Sequence, residues 1–188
     1  SFMDRRLIVE PLLPEADALR AVKAADRIAS ASFAPSRRRE YLSWRAIVYR
    51  ELGPVAIRYA ACGAPYLADR SDVCIGVSHG AGRAAVALSD RPCAVDIERY
   101  DRDFARVAPR YLTLAERSLG EADPRFGAAA WCAKEVLCKL SGRQGLSLTR
   151  DLHLTASGDG WIEGCVGDGE PIRLSVRELG DAAVVWYL

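Results

Sequence analysis

The sequence predicts an α+β protein of two similar lobes, each a helix packed on a small antiparallel sheet in a pseudo-twofold arrangement. Three observations carry this expectation. A helical pattern followed by short alternating or apolar runs occurs twice along the 188 residues. The two halves meet near residues 90–95 without a low-complexity linker, which predicts closely packed lobes, 1–92 and 93–188. Half of the residues are hydrophobic, enough for a substantial core. No residue-level repeat is detectable between the halves.

In chain order, LIVEPLL (7–13) reads as a strand, and residues 14–30 show apolar positions at helical spacing after a Pro14-Glu15 first turn. Residues 36–53 form a second helical pattern, capped by Ser36, stopped by Gly53, with Leu42, Ile47 and Val48 on its inner face. Strand-like runs follow at 55–60, 73–79, 83–89 and 93–98, separated by Gly-Ala-Gly and Asp-Arg-Pro turns, as in an antiparallel meander. In the second half, Asp123-Pro124 caps and opens a helix to about Ser141, with Gly142 just past its end. Strands are expected at 151–155, 161–166, 171–176 and 182–188.

A formal net charge of +1 gives no global reason to expect a nucleic-acid binder. No run of 18 apolar residues is present, so no transmembrane helix and no membrane partner are expected. No secretory signal is visible, and Met3, the only methionine, suggests that Ser1 and Phe2 are additions ahead of the natural start. The six cysteines (62, 74, 93, 132, 138 and 165) form no CxxC pair and no Cys/His cluster. A reduced, cytoplasmic protein is expected, in which any metal is a hard ion held by carboxylates.

Four stretches carry charge where chemistry could use it. In CAVDIE (93–98), strand alternation puts Cys93, Val95 and Ile97 on one side and Asp96 and Glu98 on the other. Such a pair reads either as a solvated face balanced by Arg99 or Arg102, or as a Mg²⁺ site, since Mg²⁺ takes one or two protein carboxylates plus water and phosphate oxygens. VSHGAGR (77–83) places His79 at a strand end before a glycine turn, which fits a structural histidine and hairpin as well as a phosphate contact. AAAWCAKEVLCKLSG (128–142) is apolar almost all round yet carries Lys134, Glu135 and Lys139. Glu135 and Lys139 share an edge as an ordinary i,i+4 pair, whereas Lys134 lies about 100° away and has no such explanation. In LTLAER (112–117), Thr113 and Glu116 read as a capping box or as part of a site.

Taken together, acids on a strand, an acid with two lysines on a buried helix, and a histidine at a turn suggest one Mg²⁺–phosphate site. The order SH (78–79), VDIE (95–98), LTLAE (112–116) and WCAKEVLCK (131–139) resembles the 4′-phosphopantetheinyl transferase superfamily, in its two-lobed surfactin-type branch. The family signature is a G-V/I-D-x-E strand followed about 35 residues later by W-x-x-K-E-x-x-x-K on a helix. Weaker similarity runs from RRREYLSWRA (37–46) through GAPYL (63–67) to GLSL (145–148).

The resemblance implies transfer of the phosphopantetheine arm of coenzyme A to a serine of an acyl or peptidyl carrier protein, releasing adenosine 3′,5′-bisphosphate. It implies Mg²⁺ held by Asp96, Glu98 and Glu135, with Lys139 and Lys134 clamping phosphates. Glu135 is then base or metal ligand, and Glu116 assists through a water or serves only as a cap. His79 contacts the coenzyme A phosphates, and Arg37, Arg38 and Arg39 reach the 3′-phosphate. An acidic carrier should meet a basic stripe of Arg99, Arg102, Arg106 and Arg110 if 99–110 were one helix, although Pro109 limits that stripe to Arg106. Two fused lobes imply a monomer.

Three positions depart from the family pattern: Ala94 stands for the usual Gly, Ala64 for a common Lys or Arg, and Trp44 for a frequent Gly. The lost cation at Ala64 makes a non-catalytic coenzyme A or carrier-binding relative the alternative reading. A generic Mg²⁺-dependent phosphohydrolase rests on the carboxylates alone.

Overall fold

The expected alternation of helix and antiparallel sheet occurs twice in the computed structural model, which describes residues 4–188. The expectation for Ser1, Phe2 and Met3 lies outside the described residues. The first part runs β1 (Arg6–Pro11), α1 (Glu15–Arg20), α2 (Ala24–Ala29), α3 (Pro35–Leu52), β2 (Ile57–Tyr59), β3 (Pro65–Leu67), β4 (Cys74–Gly80) and β5 (Arg83–Ser89). The second runs β6 (Ala94–Arg99), α4 (Phe104–Val107), α5 (Leu114–Ser118), α6 (Phe126–Ser141), β7 (Leu152–Gly158), β8 (Trp161–Val166), β9 (Ile172–Glu178) and β10 (Ala182–Tyr187). The sheets have strand orders β1-β5-β4 and β6-β10-β9-β8-β7, and β2 and β3 form a separate ribbon.

Each long helix covers a sheet. Trp44, Ile47 and Val48 of α3 pack with Ile75, Val86 and Leu88, while Leu42 and Ala46 turn to Ala18 and Val22 beside α1. In α6, Val136 and Leu137 bury against Leu152, Ile162 and Leu174; each such side chain contributes roughly 1.5–3 kcal/mol. The uninterrupted apolar run of β5 has a physical cause. Val86 and Leu88 face α3, while Ala85 and Ala87 face Val95, Ile97 and Val184, so the strand is buried on both sides.

The chain departs from the expected elements in several places. The helix α3 begins at Pro35, so Ser36 lies inside it and is not its cap. The helix expected over 14–30 is two, because Lys23 is extended and its N–H meets Asp26 in a new capping box. The helix through 123–141 starts at Phe126, with Asp123 accepting from the Arg125 and Phe126 N–H groups. The condition set for the arginine stripe, one helix over 99–110, is not met. Asp103 caps the four-residue α4 by accepting from Arg106 N–H, and a 3-10 turn, Ala108–Arg110, holds Pro109. All six cysteines are free.

The site depends on how closely β4 approaches β6. A Cβ on Gly76 would stand 2.9 Å from Ala94 Cα, and one on Gly80 2.9 Å from Ile97 O. Only glycine permits this backbone contact without displacement. It brings Ser78, between the two glycines, within reach of Asp96.

Candidate active site

A cleft of about 560 Å³ opens where the two helix-on-sheet units meet, lined by Ser78, His79, Asp96, Glu135, Lys139 and Arg143, with Trp44, Tyr59, Ala64 and Pro65 at its other end. Strand alternation supplies Asp96. Val95 and Ile97 enter the apolar layer between the sheets, leaving Asp96 and Glu98 on the face covered by α6. Lys139 reaches across from α6, its Nζ donating to Val95 O at 2.7 Å, Val77 O at 3.3 Å and Asp96 Oδ1 at 3.3 Å. Ser78 Oγ donates to the same carboxylate oxygen at 3.2 Å. Lys139 therefore joins β4, β6 and α6 at one point.

Glu135 lies on the same cleft wall. Burial pushes its carboxyl above the ordinary range, Asp96 and Glu98 add to this, and Lys139 opposes it. The three acids thus crowd one another, which suits a hard divalent cation. Asp96 is bonded to Lys139, and Glu98 pairs with Arg102 at 3.1 Å and is not part of the cleft lining. Among the described residues no three His, Cys, Asp or Glu side chains are gathered as a metal-holding group. The acids fit Mg²⁺ in donor type and charge, and binding requires them to turn from these partners.

His79 lies in the cleft with Nδ1 3.3 Å from Glu40, at the end of a β4–β5 hairpin that closes through Ala81 and Gly82, so the Gly-Ala-Gly stretch is a turn. Other expected site residues are elsewhere. Lys134 is 1% exposed, and its ammonium meets Glu116 at 2.7 Å and the carbonyls of Leu148 and Leu152, each at 2.6 Å. All three of its protons are satisfied inside the protein, so the phosphate-clamp expectation is corrected.

Glu116, 4% exposed, accepts from Thr113 N at 2.8 Å, Leu154 N at 2.7 Å and Lys134. Burial alone would raise its pKa, but the Lys134 ammonium and the two backbone donors hold it below the usual range. Lys134 is itself shifted down, because burial outweighs its partner. With donors and acceptors all matched, the charged pair is the form the geometry supports. Glu116 is a cap and internal strut, away from the cleft, which corrects its expected catalytic role.

The arginine run has partners within the first part of the chain. Arg37 stacks on Phe33 with its guanidinium carbon 3.9 Å from the ring centre, Arg38 pairs with Glu15 at 2.8 Å, and Arg39 donates to the Leu12 and Leu13 carbonyls. The first turns of α3 face the preceding segments, and none of the three lines the cleft. Ser78 and Arg143 line it unforeseen. Ser78 stood beside His79 in the quoted motif, whereas nothing in the pattern marked Arg143.

Fold and cleft together define an α+β protein in which Asp96, Glu135, His79 and Lys139 share one cleft. Residues 92–179 match the family model of the 4′-phosphopantetheinyl transferase superfamily. The activity of the superfamily is phosphopantetheine transfer. No curated protein matches the chain.

Proposed function

We propose that this protein is a surfactin-type 4′-phosphopantetheinyl transferase, with lobes 1–92 and 93–188, that loads acyl or peptidyl carrier proteins from coenzyme A in the cytoplasm as a monomer. The observation that carries the reading is the junction of motifs: Lys139 of the helical motif binds Asp96 of the strand motif, in a cleft shared with Glu135 and His79.

In the proposed reaction the carrier serine oxygen attacks the β-phosphorus of coenzyme A. The new P–O bond forms as the bond to adenosine 3′,5′-bisphosphate breaks. Glu135, whose proton affinity is raised, takes the serine proton. Lys139 offsets charge on the phosphate oxygens, and His79 contacts the same phosphates at the cleft mouth. Asp96 and Glu98 would hold Mg²⁺, which when bound neutralises the pyrophosphate and its leaving oxygen. In this step Glu135 is the base; its alternative role is as the third carboxylate, beside Asp96 and Glu98, that would hold Mg²⁺.

An acidic carrier suits the surface after β6. Arg106 and Arg110 are exposed with no ion pair among the described residues, and Leu114 is 80% exposed beside them in sequence. Arg99 and Arg102 are paired with Asp101 and Glu98, so the four-arginine stripe is reduced to two.

The second reading, a catalytically weak coenzyme A or carrier-binding relative, has one observation in its favour: Ala64 lines the cleft and brings no cation. Purified protein with coenzyme A, Mg²⁺ and a panel of unmodified carriers tests both. A phosphopantetheine mass gain on a carrier serine is the expected result. Coenzyme A binding without any gain would select the second reading.

A further inference from the structure

Two of the three acids expected to hold a metal are already held by cations of this chain. Lys139 reaches Asp96 from α6. Arg102, four residues beyond Glu98, turns back and donates from Nη1 to Glu98 Oε1 at 3.1 Å. Its guanidinium carbon also lies 5.0 Å from the centre of the Trp131 ring and 5.6 Å from that of Phe104. Trp131 stands on α6 one turn before Glu135, on the edge that Glu135 and Lys139 share. Arg102 is therefore placed at the start of that edge, beside the acids rather than among the other surface arginines.

The placement has an electrostatic consequence. Asp96 and Glu98 both raise the proton affinity of Glu135, so the three carboxylates feel one another. A divalent cation would gain from all three charges, but Arg102 neutralises Glu98 and adds a like charge close by. Glu98 also stays out of the cleft lining while this pair is made. It can serve as a ligand only when Arg102 lets go. The Trp131 and Phe104 rings then leave the guanidinium a favourable contact of its own, since arginine is attracted to aromatic faces.

We propose that Arg102 is a built-in counter-ion of Glu98 that competes with the divalent cation and sets how tightly this protein holds it. The inference rests on the assignment of Asp96 and Glu98 to a metal in the reading above. Without the cation, the pair relieves repulsion among three neighbouring carboxylates. With it, the same positive charge opposes entry.

The test titrates Mn²⁺, a paramagnetic stand-in for Mg²⁺, into the full chain without coenzyme A and reads the free ion by electron paramagnetic resonance. The Arg102 side chain is 46% exposed, so its variants are expected to fold, with circular dichroism as the check. Arg102→Gln should bind Mn²⁺ at least about threefold more tightly than the parent at low salt, and the gain should shrink as salt is raised. Arg102→Met, which keeps an apolar stem near Trp131 without the charge, should show the same gain. Arg102→Lys keeps the charge and should stay near the parent. Arg106→Gln changes the net charge equally, at an exposed residue with no ion pair among the described residues, and should also stay near the parent. Glu98→Gln should weaken Mn²⁺ binding.

Arg102→Gln and Arg102→Met no tighter than the parent, with Glu98→Gln weakened, would overturn the counter-ion and leave the metal assignment standing. An equal gain in Arg106→Gln would also overturn it, because net charge alone would then account for the effect. Glu98→Gln binding Mn²⁺ as the parent does would overturn the metal assignment at Glu98 and the inference with it. Undetectable binding in the parent and both uncharged Arg102 variants alike would overturn the inference, since Arg102 would not be what limits the site. Carrier loading, assayed separately, decides the transferase reading whichever result is found.

Discussion

Lys134 Nζ lies 2.7 Å from Glu116 Oε2, and both side chains are almost wholly enclosed. The contact fastens the middle of α6 to the cap of α5, and through Leu154 N, Leu148 O and Leu152 O to the start of β7. Glu135, the next residue in α6, faces the cleft from the helix so anchored. Removing one member of such a pair strands a buried charge.

Lys134→Met is therefore expected to cost about 3–5 kcal/mol of stability, seen as a lower urea midpoint. Lys134→Met combined with Glu116→Leu should recover much of that loss, because no charge is then stranded. A stable Lys134→Met protein with weakened coenzyme A binding would instead return Lys134 to the phosphates.

Acid should weaken the fold through Glu116. Its folded-state pKa lies below the ordinary 4.5, so its contribution is complete above about pH 4.5 and is lost as pH falls through the folded value. Urea midpoints of the parent and Glu116→Gln, measured from pH 6 to pH 3, should converge at the acid end. A constant gap across that range would show that the carboxylate form is not what stabilises the strut.

Glu135→Gln removes a charge that its surroundings disfavour, so the fold should keep or slightly gain stability. Transfer to carrier should nevertheless drop by at least ~100-fold, the scale of losing an acid–base group. Circular dichroism and a carrier mass-shift time course measure the two effects. Unchanged transfer would remove Glu135 from the chemistry.

Lys139→Ala should behave differently from Lys134→Met. Its ammonium is partly exposed and joins β4, β6 and α6 at the cleft, so the main loss is in substrate handling. A raised KM for coenzyme A with a lowered kcat is expected, because ground state and transition state both carry the phosphate charge. A fold loss comparable to that of Lys134→Met, with kinetics unaltered, would mark Lys139 as structural.

Coenzyme A should raise the melting temperature more with Mg²⁺ than with chelator, since Asp96 and Glu98 would hold the cation only in the folded state. Identical shifts under both conditions would remove the metal from those two acids.

Much of the architecture was legible because burial leaves periodic traces. Residues 84–88 of β5 are all apolar because both faces of the strand are covered, and VDIE alternates because one face of β6 meets the other sheet while the other meets α6. The short helices were not legible. The breaks at Lys23 and Asp103 are local capping choices, each competing with a helical pattern of similar strength.

Within the site, sequence alone determined that α6 would carry three charges on an apolar helix and that Asp96 and Glu98 would share one strand face. It also determined, by helical spacing, that Lys134 points elsewhere than Glu135 and Lys139. Only the tertiary structure decided which direction was the cleft. Lys139 meets β4 and β6, brought together by backbone contact at Gly76 and Gly80, while Lys134 meets carbonyls of residues 148 and 152 and the carboxylate of Glu116. A lysine on a helix has the same propensity and the same charge in either place. What separates a substrate-facing cation from an internal strut is the set of acceptors that distant segments bring to it, and those acceptors are assembled only when the chain folds.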